Sequence, residues 1–330
     1  MGTLACLATG FETIARHPTL IVIPTLLDLF LWLGPRLSMA PVFKSMEQAM
    51  MELLTFEGIG TEVGEASIFL RQILNSLATE FNLFTVLTPA PLLGVPSLMA
   101  AEMPLLGPFG ARAEVEISSF LFIVAWSIIL IVMGLFLSAL YLRMIGIQVI
   151  EETEAPLPGP DSTIAVWGQL IKLVLILIAV LFGISLLSSI FVSCVGMVSL
   201  RIAAFLMTMF SSLGLFVALH MLFAVPAIVL LRRPLFQAVR ESFILTRSDF
   251  LNVTALILLI LVISQGFTFV WSLPDHESWA ALIGIGGHAF VSSALVATLF
   301  IFFQERLRFL EAIEKAFAAK ETPAQSAVGK

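Results

Sequence analysis

Five stretches of the chain run apolar with almost no charge inside them: about 119–141, 169–192, 202–231, 250–272 and 280–303. Each is long enough to cross about 30 Å of hydrocarbon at roughly 1.5 Å per helical residue. A sixth, about 18–34, is shorter and contains Pro24 and Asp28. Pro18 suits a first helical turn, and Gly34-Pro35 ends the segment. Before it, Leu4, Leu7, Phe11 and Ile14 fall on one helical face, the pattern of an interfacial helix leading into a span.

Between the first and second spans the pattern changes. Residues 41–56 set Val42, Phe43, Met46, Met50, Leu53 and Leu54 against Lys44, Glu47 and Glu52. A second amphipathic run over about 65–84 carries Ile68, Ile73, Leu74, Leu77, Phe81 and Phe84. Neither is apolar enough to span; each lies on the membrane or pairs with the other as a helical hairpin. Residues 88–110 follow, mostly apolar but punctuated by Pro89, Pro91, Pro96, Pro104 and Pro108, which forbid one continuous helix.

The fold expected is all-α, a polytopic integral membrane bundle of about six transmembrane helices with added interfacial amphipathic helices. It forms one membrane domain over 1–330. An extracytoplasmic insertion occupies 35–118, and a cytoplasmic amphipathic helix with a flexible tail occupies 304–330.

Basic residues near the span ends set the orientation. The connection 232–249 carries Arg232, Arg233, Arg240 and Arg247, and the tail carries Arg306, Arg308, Lys315, Lys320 and Lys330. The connection between them, 273–279, has Asp275, His276 and Glu277 but no Lys or Arg. Both termini are therefore expected in the cytoplasm of a cell in whose plasma (inner) membrane the chain resides, with 35–118 outside. Of 17 basic residues only Arg36, Lys44, Arg71, Arg112 and Arg201 oppose this arrangement. Trp32, Trp271 and Trp279 fall at expected outer ends, and Tyr141 and Trp167 at inner ends, as interfacial aromatic belts do.

Composition agrees. The 330 residues are 59% hydrophobic and 12% charged, with a mean hydropathy of +1.05, whereas soluble domains carry about 25% charge. No sustained basic stretch suggests nucleic-acid binding. No cleavable signal peptide is expected, because Glu12 precedes the first basic residue, Arg16. Cys6 and Cys194 fall near opposite faces, beyond disulfide reach.

Three intramembrane ionisable residues form a candidate polar site: Asp28 among Leu26, Leu27, Leu29 and Phe30, and His220 and His288 in mid-span. Such groups are expensive in hydrocarbon and serve relays, ligands or buried pairs. Two histidines without a third ligand at helical spacing make no metal site, and no cofactor is expected. Gly284, Gly286 and Gly287 suit close helix approach. Zinc-protease, nucleophile-elbow and phosphate-loop motifs are absent from the sequence.

The segment from Arg232 to Arg247 begins a helix at Pro234, with Leu235, Phe236, Val239 and Phe243 on one face and Arg233, Arg240 and Arg247 off it. Arg232, Arg233, Arg240 and Arg247 are candidate contacts for anionic lipid headgroups. With Val225-Pro226 before it and the spacing of Ala238 and Ser242, the region 221–265 resembles the membrane domain attached to bacterial glycerophosphodiester phosphodiesterases and related multi-span proteins. That resemblance implies an embedded helical domain without the hydrolase barrel.

Three function classes follow: a non-catalytic scaffold or accessory subunit with lipid contacts, a lipid or small-solute transporter using the intramembrane Asp and His residues, and a membrane enzyme. Membrane lipids are the expected partners, with a protein partner at the apolar loop 88–110. Convergence of Asp28, His220 and His288 on one cavity favours the second or third class; separate packing favours the first.

Overall fold

The computed structural model describes residues 2–56, 62–88, 94–152 and 163–327. Expectations resting on Pro89, Pro91, Lys330 and the connection 153–162 lie outside them. Five helices are long and apolar enough to span a membrane: α6 (Phe120–Glu152), α7 (Thr163–Gly196), α8 with α9 (Leu200–Met221, Ala224–Leu231), α11 (Phe250–Trp271) and the first 30 residues of α12 (Ala281–Ala327). Helices α1 (Thr3–Arg16) and α2 (Val22–Leu33), joined through a short 3-10 turn over Pro18–Ile21, reach that standard only as a pair. The chain is an all-α polytopic bundle. The break between α1 and α2 comes from Pro18, which disfavours helical geometry at His17 (φ −122°, ψ 67°).

The chain forms two compact units, and α6, α11 and α12 contribute to both. One contains residues 1–17, 142–262 and 294–330. There Phe223 stacks on Phe302 and Phe303 with centroids 5.9 and 6.2 Å apart, and Arg306 lies over Phe302 while pairing with Asp249 at 2.8 Å. Helix α1 joins this core by a face that shares only Ile14 with the expected stripe. Cys6, Gly10, Thr13 and Ile14 are buried, while Leu4 is 71% exposed. In lipid an apolar side chain gains little by turning inward, so the small residues that permit close backbone approach decide the packing face. Gly10 lies against Ala294 and Thr298 of α12. The helix expected from residue 304 is continuous with the last span.

The other unit contains residues 18–141 and 263–293. The two amphipathic runs are α3 (Ala40–Phe56) and α4 (Glu62–Glu80), paired with each other and bridged by Arg71 and Glu47. Two small strand pairs were not signalled by the hydrophobic pattern. Strand β1 (Arg36–Ser38) runs parallel to β4 (Glu114–Glu116), and β2 (Leu106–Gly107) forms a hairpin with β3 (Gly110–Ala111). Each is too short to show a period of two. Beneath β1, Leu37, Met39, Leu83, Ile117 and Leu130 form a buried cluster. The Asn82 carboxamide oxygen fixes the chain there by accepting from Leu37 N and Phe84 N at 3.0 and 3.2 Å.

Two arginines that oppose the charge arrangement are consumed in this unit. Arg112 donates to Gly34 O through Nε and Nη2 at 3.0 and 2.8 Å, and to Pro104 O through Nη1 at 3.0 Å. Arg36 donates to Thr79 O and Glu80 O at 2.8 and 3.1 Å. Burial, and then the positive charge of Arg36, lower the Arg112 pKa to about 10, so it stays charged at neutral pH. Two of the expected belt aromatics are core residues instead. Trp32 is fully buried, donates Nε1–H to His276 O at 2.8 Å and meets Trp279 edge-on. Tyr141 is fully buried and bonds Ser293 Oγ at 2.9 Å.

Single cysteines test the threading. In a background with Cys6→Ala and Cys194→Ser, the exposed positions Lys44 and Ser278 are expected to react with an impermeant maleimide in right-side-out vesicles. The exposed position Gln237 should react only after permeabilisation. Protection of position 44 would mean that α1 and α2 do not together cross.

Candidate functional site

The three intramembrane ionisable residues each end in a local arrangement. Asp28, on the buried face of α2, is fully buried. Its carboxylate accepts from Leu98 N at 3.1 Å, from Met99 N at 2.9 Å and from the Ser97 hydroxyl. Ser97 is the N-cap of α5 (Leu98–Glu102), and its Oγ accepts from Ala100 N at 3.0 Å. Asp28 and Ser97 together thus satisfy three first-turn N–H groups that would otherwise be orphaned in a buried place. The Pro-rich segment predicts no continuous helix; it folds one turn onto α2 because a carboxylate waits there. Much of its described apolar content is buried, including Val95, Leu98 and Met99, whereas Leu105, Leu106 and Phe109 are exposed.

His288 lies on α12 and is 8% exposed. Its Nε2 is 3.2 Å from Ser292 Oγ one turn along, and among the described residues Nδ1 has no hydrogen-bond partner. One turn earlier, Gly284 lies against Trp271 O, and a Cβ on Gly287 would stand 2.7 Å from the Trp271 ring. These two glycines permit the close approach expected of them; Gly286 faces open space.

His220 belongs to the other unit. Its Nδ1 is 2.8 Å from Phe216 O, and the ring lies between Phe216 and Phe243 with centroids 3.9 and 4.3 Å away. Just beyond it the span breaks between α8 and α9, where Pro226 has no N–H to offer. The buried Ser242 hydroxyl spans the break, donating to His220 O and accepting from Phe223 N at 3.1 Å. This gives the pairing of Val225-Pro226 with Ala238 and Ser242 a physical meaning. The proline interrupts the helix, the serine satisfies what the break exposes, and Ala238, fully buried, accompanies it on the inward face.

The helix bearing Ser242 is α10 (Leu235–Ser248). Its inward face is Leu235, Ala238, Ser242, Leu245 and Thr246 rather than the larger apolar stripe. Phe236 is 81% and Phe243 40% exposed. The four candidate arginines divide. Arg232 ends α9 in the left-handed region (φ 54°) and interacts within the chain, and Arg233 Nε pairs with Glu241 at 2.9 Å. Arg240 and Arg247 are exposed.

A cleft of about 420 Å³ lies in the unit that holds Asp28, lined by Glu80, Glu102, Asp275, His276 and Glu277 among others. His276 Nε2 is 3.7 Å from Glu102 there. Among the described residues no group of three or more His, Cys, Asp or Glu is placed to hold a metal ion. Protein-family models, curated proteins and solved structures contain no match to this chain.

Proposed function

We propose that the chain is a non-catalytic multi-pass membrane protein, a scaffold or accessory subunit of the plasma membrane with both termini in the cytoplasm. The observation carrying this is the use made of Asp28: a buried carboxylate spent on three hydrogen bonds to its own fold. His220 is likewise occupied between two phenylalanines and a carbonyl. A relay group needs a second arrangement to move to, and the Asp28 carboxylate already holds three donors of its own fold.

Solute translocation is the second reading, favoured by one feature: His288 Nδ1, Thr25 Oγ1 and Trp271 Nε1, in one unit, are buried polar atoms without partners among the described residues. Buried polar groups left so are costly unless water or a ligand reaches them. Flux decides between the readings. The purified chain in liposomes carrying an internal pH dye is expected to pass protons no faster than protein-free liposomes under an imposed potential, and His288→Ala should change nothing. Proton flux that His288→Ala abolishes, at an unchanged melting temperature, would overturn the scaffold reading.

A further inference from the structure

We infer that the outward stripe of α10 is a docking surface for anionic phospholipid, in which Arg240 and Arg247 hold the headgroups and Phe236 and Phe243 enter the acyl layer. It holds whatever the bundle does, because it rests on the boundary geometry of one helix.

Helix α10 connects the end of one span, Leu231, to the start of the next, Phe250, so it lies where hydrocarbon gives way to headgroups. Arg306 of the last span pairs with Asp249 at the same level. The inward face is fully used by Leu235, Ala238, Ser242 and Leu245, which fixes the rotation of the helix about its axis. Rotation fixed, the stripe is fixed too. Phe236 and Phe243 are seven residues apart, as are Arg240 and Arg247, so each pair recurs on one side of the helix about 10 Å apart. The arginine pair follows the phenylalanine pair by four residues, one turn on and about 40° around.

A phenylalanine 81% exposed on a water-bathed helix would be an oddity; beside two arginines at a membrane boundary it forms the face of an interfacial helix. Among the described residues Arg240 and Arg247 make no hydrogen bond or ion pair, whereas Arg233 is answered by Glu241 and Arg232 interacts within the chain. Arg247 stands in the last turn of α10, where a cation also suits the helix dipole. Arg240 stands mid-helix and has no such use. Two uncommitted guanidiniums, planar forks that bind phosphate oxygens in pairs, are complementary to a phosphate diester. The exposed rings supply what a free phosphate lacks.

The full chain in an uncharged detergent, titrated with phosphatidylglycerol and with phosphatidylcholine and read by native mass spectrometry, tests this. A basic residue at a lipid surface is worth roughly fivefold in affinity, so Arg240→Gln with Arg247→Gln should weaken phosphatidylglycerol binding about twenty-five-fold. Phosphatidylcholine, whose choline cation offsets the charge of its phosphate, should lose several-fold less than phosphatidylglycerol. The charge-neutral control, Arg233→Gln with Glu241→Gln, should bind like the parent. Phe236→Ser should weaken both lipids together, and it keeps the test open should the double arginine variant not fold. Binding within twofold of the parent in the folded arginine variant overturns the inference. So does an equal loss in the control, or displacement of phosphatidylglycerol by millimolar inorganic phosphate.

Discussion

Valine at position 10 is expected to leave almost no folded protein. Gly10 lies where α1 meets α12, and a Cβ there would stand 2.8 Å from both Ala294 O and Thr298 N, with Thr298 Oγ1 closer still. Two of these atoms are backbone, and the hydroxyl is held by its own bond to Ala294 O at 2.7 Å, so none can step aside cheaply. The helices must separate, exposing the contact around the fully buried Cys6 and Ile14. Overpacking a close-packed interior costs about 1–3 kcal/mol for modest additions. Gly10→Ala should fall at the upper end of that range and Gly10→Val beyond it. Fluorescence-detected gel filtration after graded heating measures both. Gly168→Ala and Gly266→Ala are controls, because among the described residues no neighbour beyond the local helix lies within 4 Å of a Cβ at either position. Both should match or exceed the parent, given the higher helix propensity of alanine. A Gly10→Ala chain as stable as these controls would mean that α1 does not dock on α12 as described.

Gly10 also shows what the hydrophobic pattern can and cannot reveal in lipid. Five spans stand out because length and apolarity are properties of one helix meeting hydrocarbon, with no partner required. Rotation of a helix about its axis requires the partner. Leu4, Leu7, Phe11 and Ile14 trace the obvious stripe of α1, yet of these only Ile14 is on the buried face, beside Cys6, Gly10 and Thr13. In α10 the obvious stripe includes Phe236, yet the inward face is built on Ala238 and Ser242. Reading small residues instead of large ones would have found both faces. The strand pair of Arg36–Ser38 with Glu114–Glu116 was beyond reach for another reason: its partners are far apart in sequence and only three residues long. Asp28 was conspicuous in sequence, but the residue that explains it, Ser97, lies 69 positions away in a Pro-rich stretch with no periodicity. A carboxylate's address is legible. Its use depends on who arrives.

That use fixes the second large effect. Removing the Asp28 side chain leaves Leu98 N, Met99 N and the Ser97 hydroxyl without acceptors in a place water does not reach. Each buried donor so orphaned costs about 1–3 kcal/mol, and neighbouring losses fall short of additive because the chain relaxes. Asp28→Ala should therefore destabilise by roughly 3–5 kcal/mol, enough to remove much of a typical protein's margin. Asp28→Asn keeps the volume and one acceptor oxygen but turns an NH2 group toward one of the donors, so it should fall between alanine and the parent. Ser97→Ala should be mildest, about 1–2 kcal/mol, because Leu98 N and Met99 N keep their carboxylate, and the losses are the cap to Ala100 N and the hydroxyl's own bond to Asp28. Thermal melts of the three variants in one detergent give the order, and hydrogen exchange across 97–103 shows whether the loss is local to α5. A carboxylate kept for chemistry would produce a different order: Asp28→Asn stable, Ser97→Ala stable, and an activity missing from the first alone. Parent-like melting of Asp28→Asn would return Asp28 to the list of working residues and withdraw the main support for a scaffold.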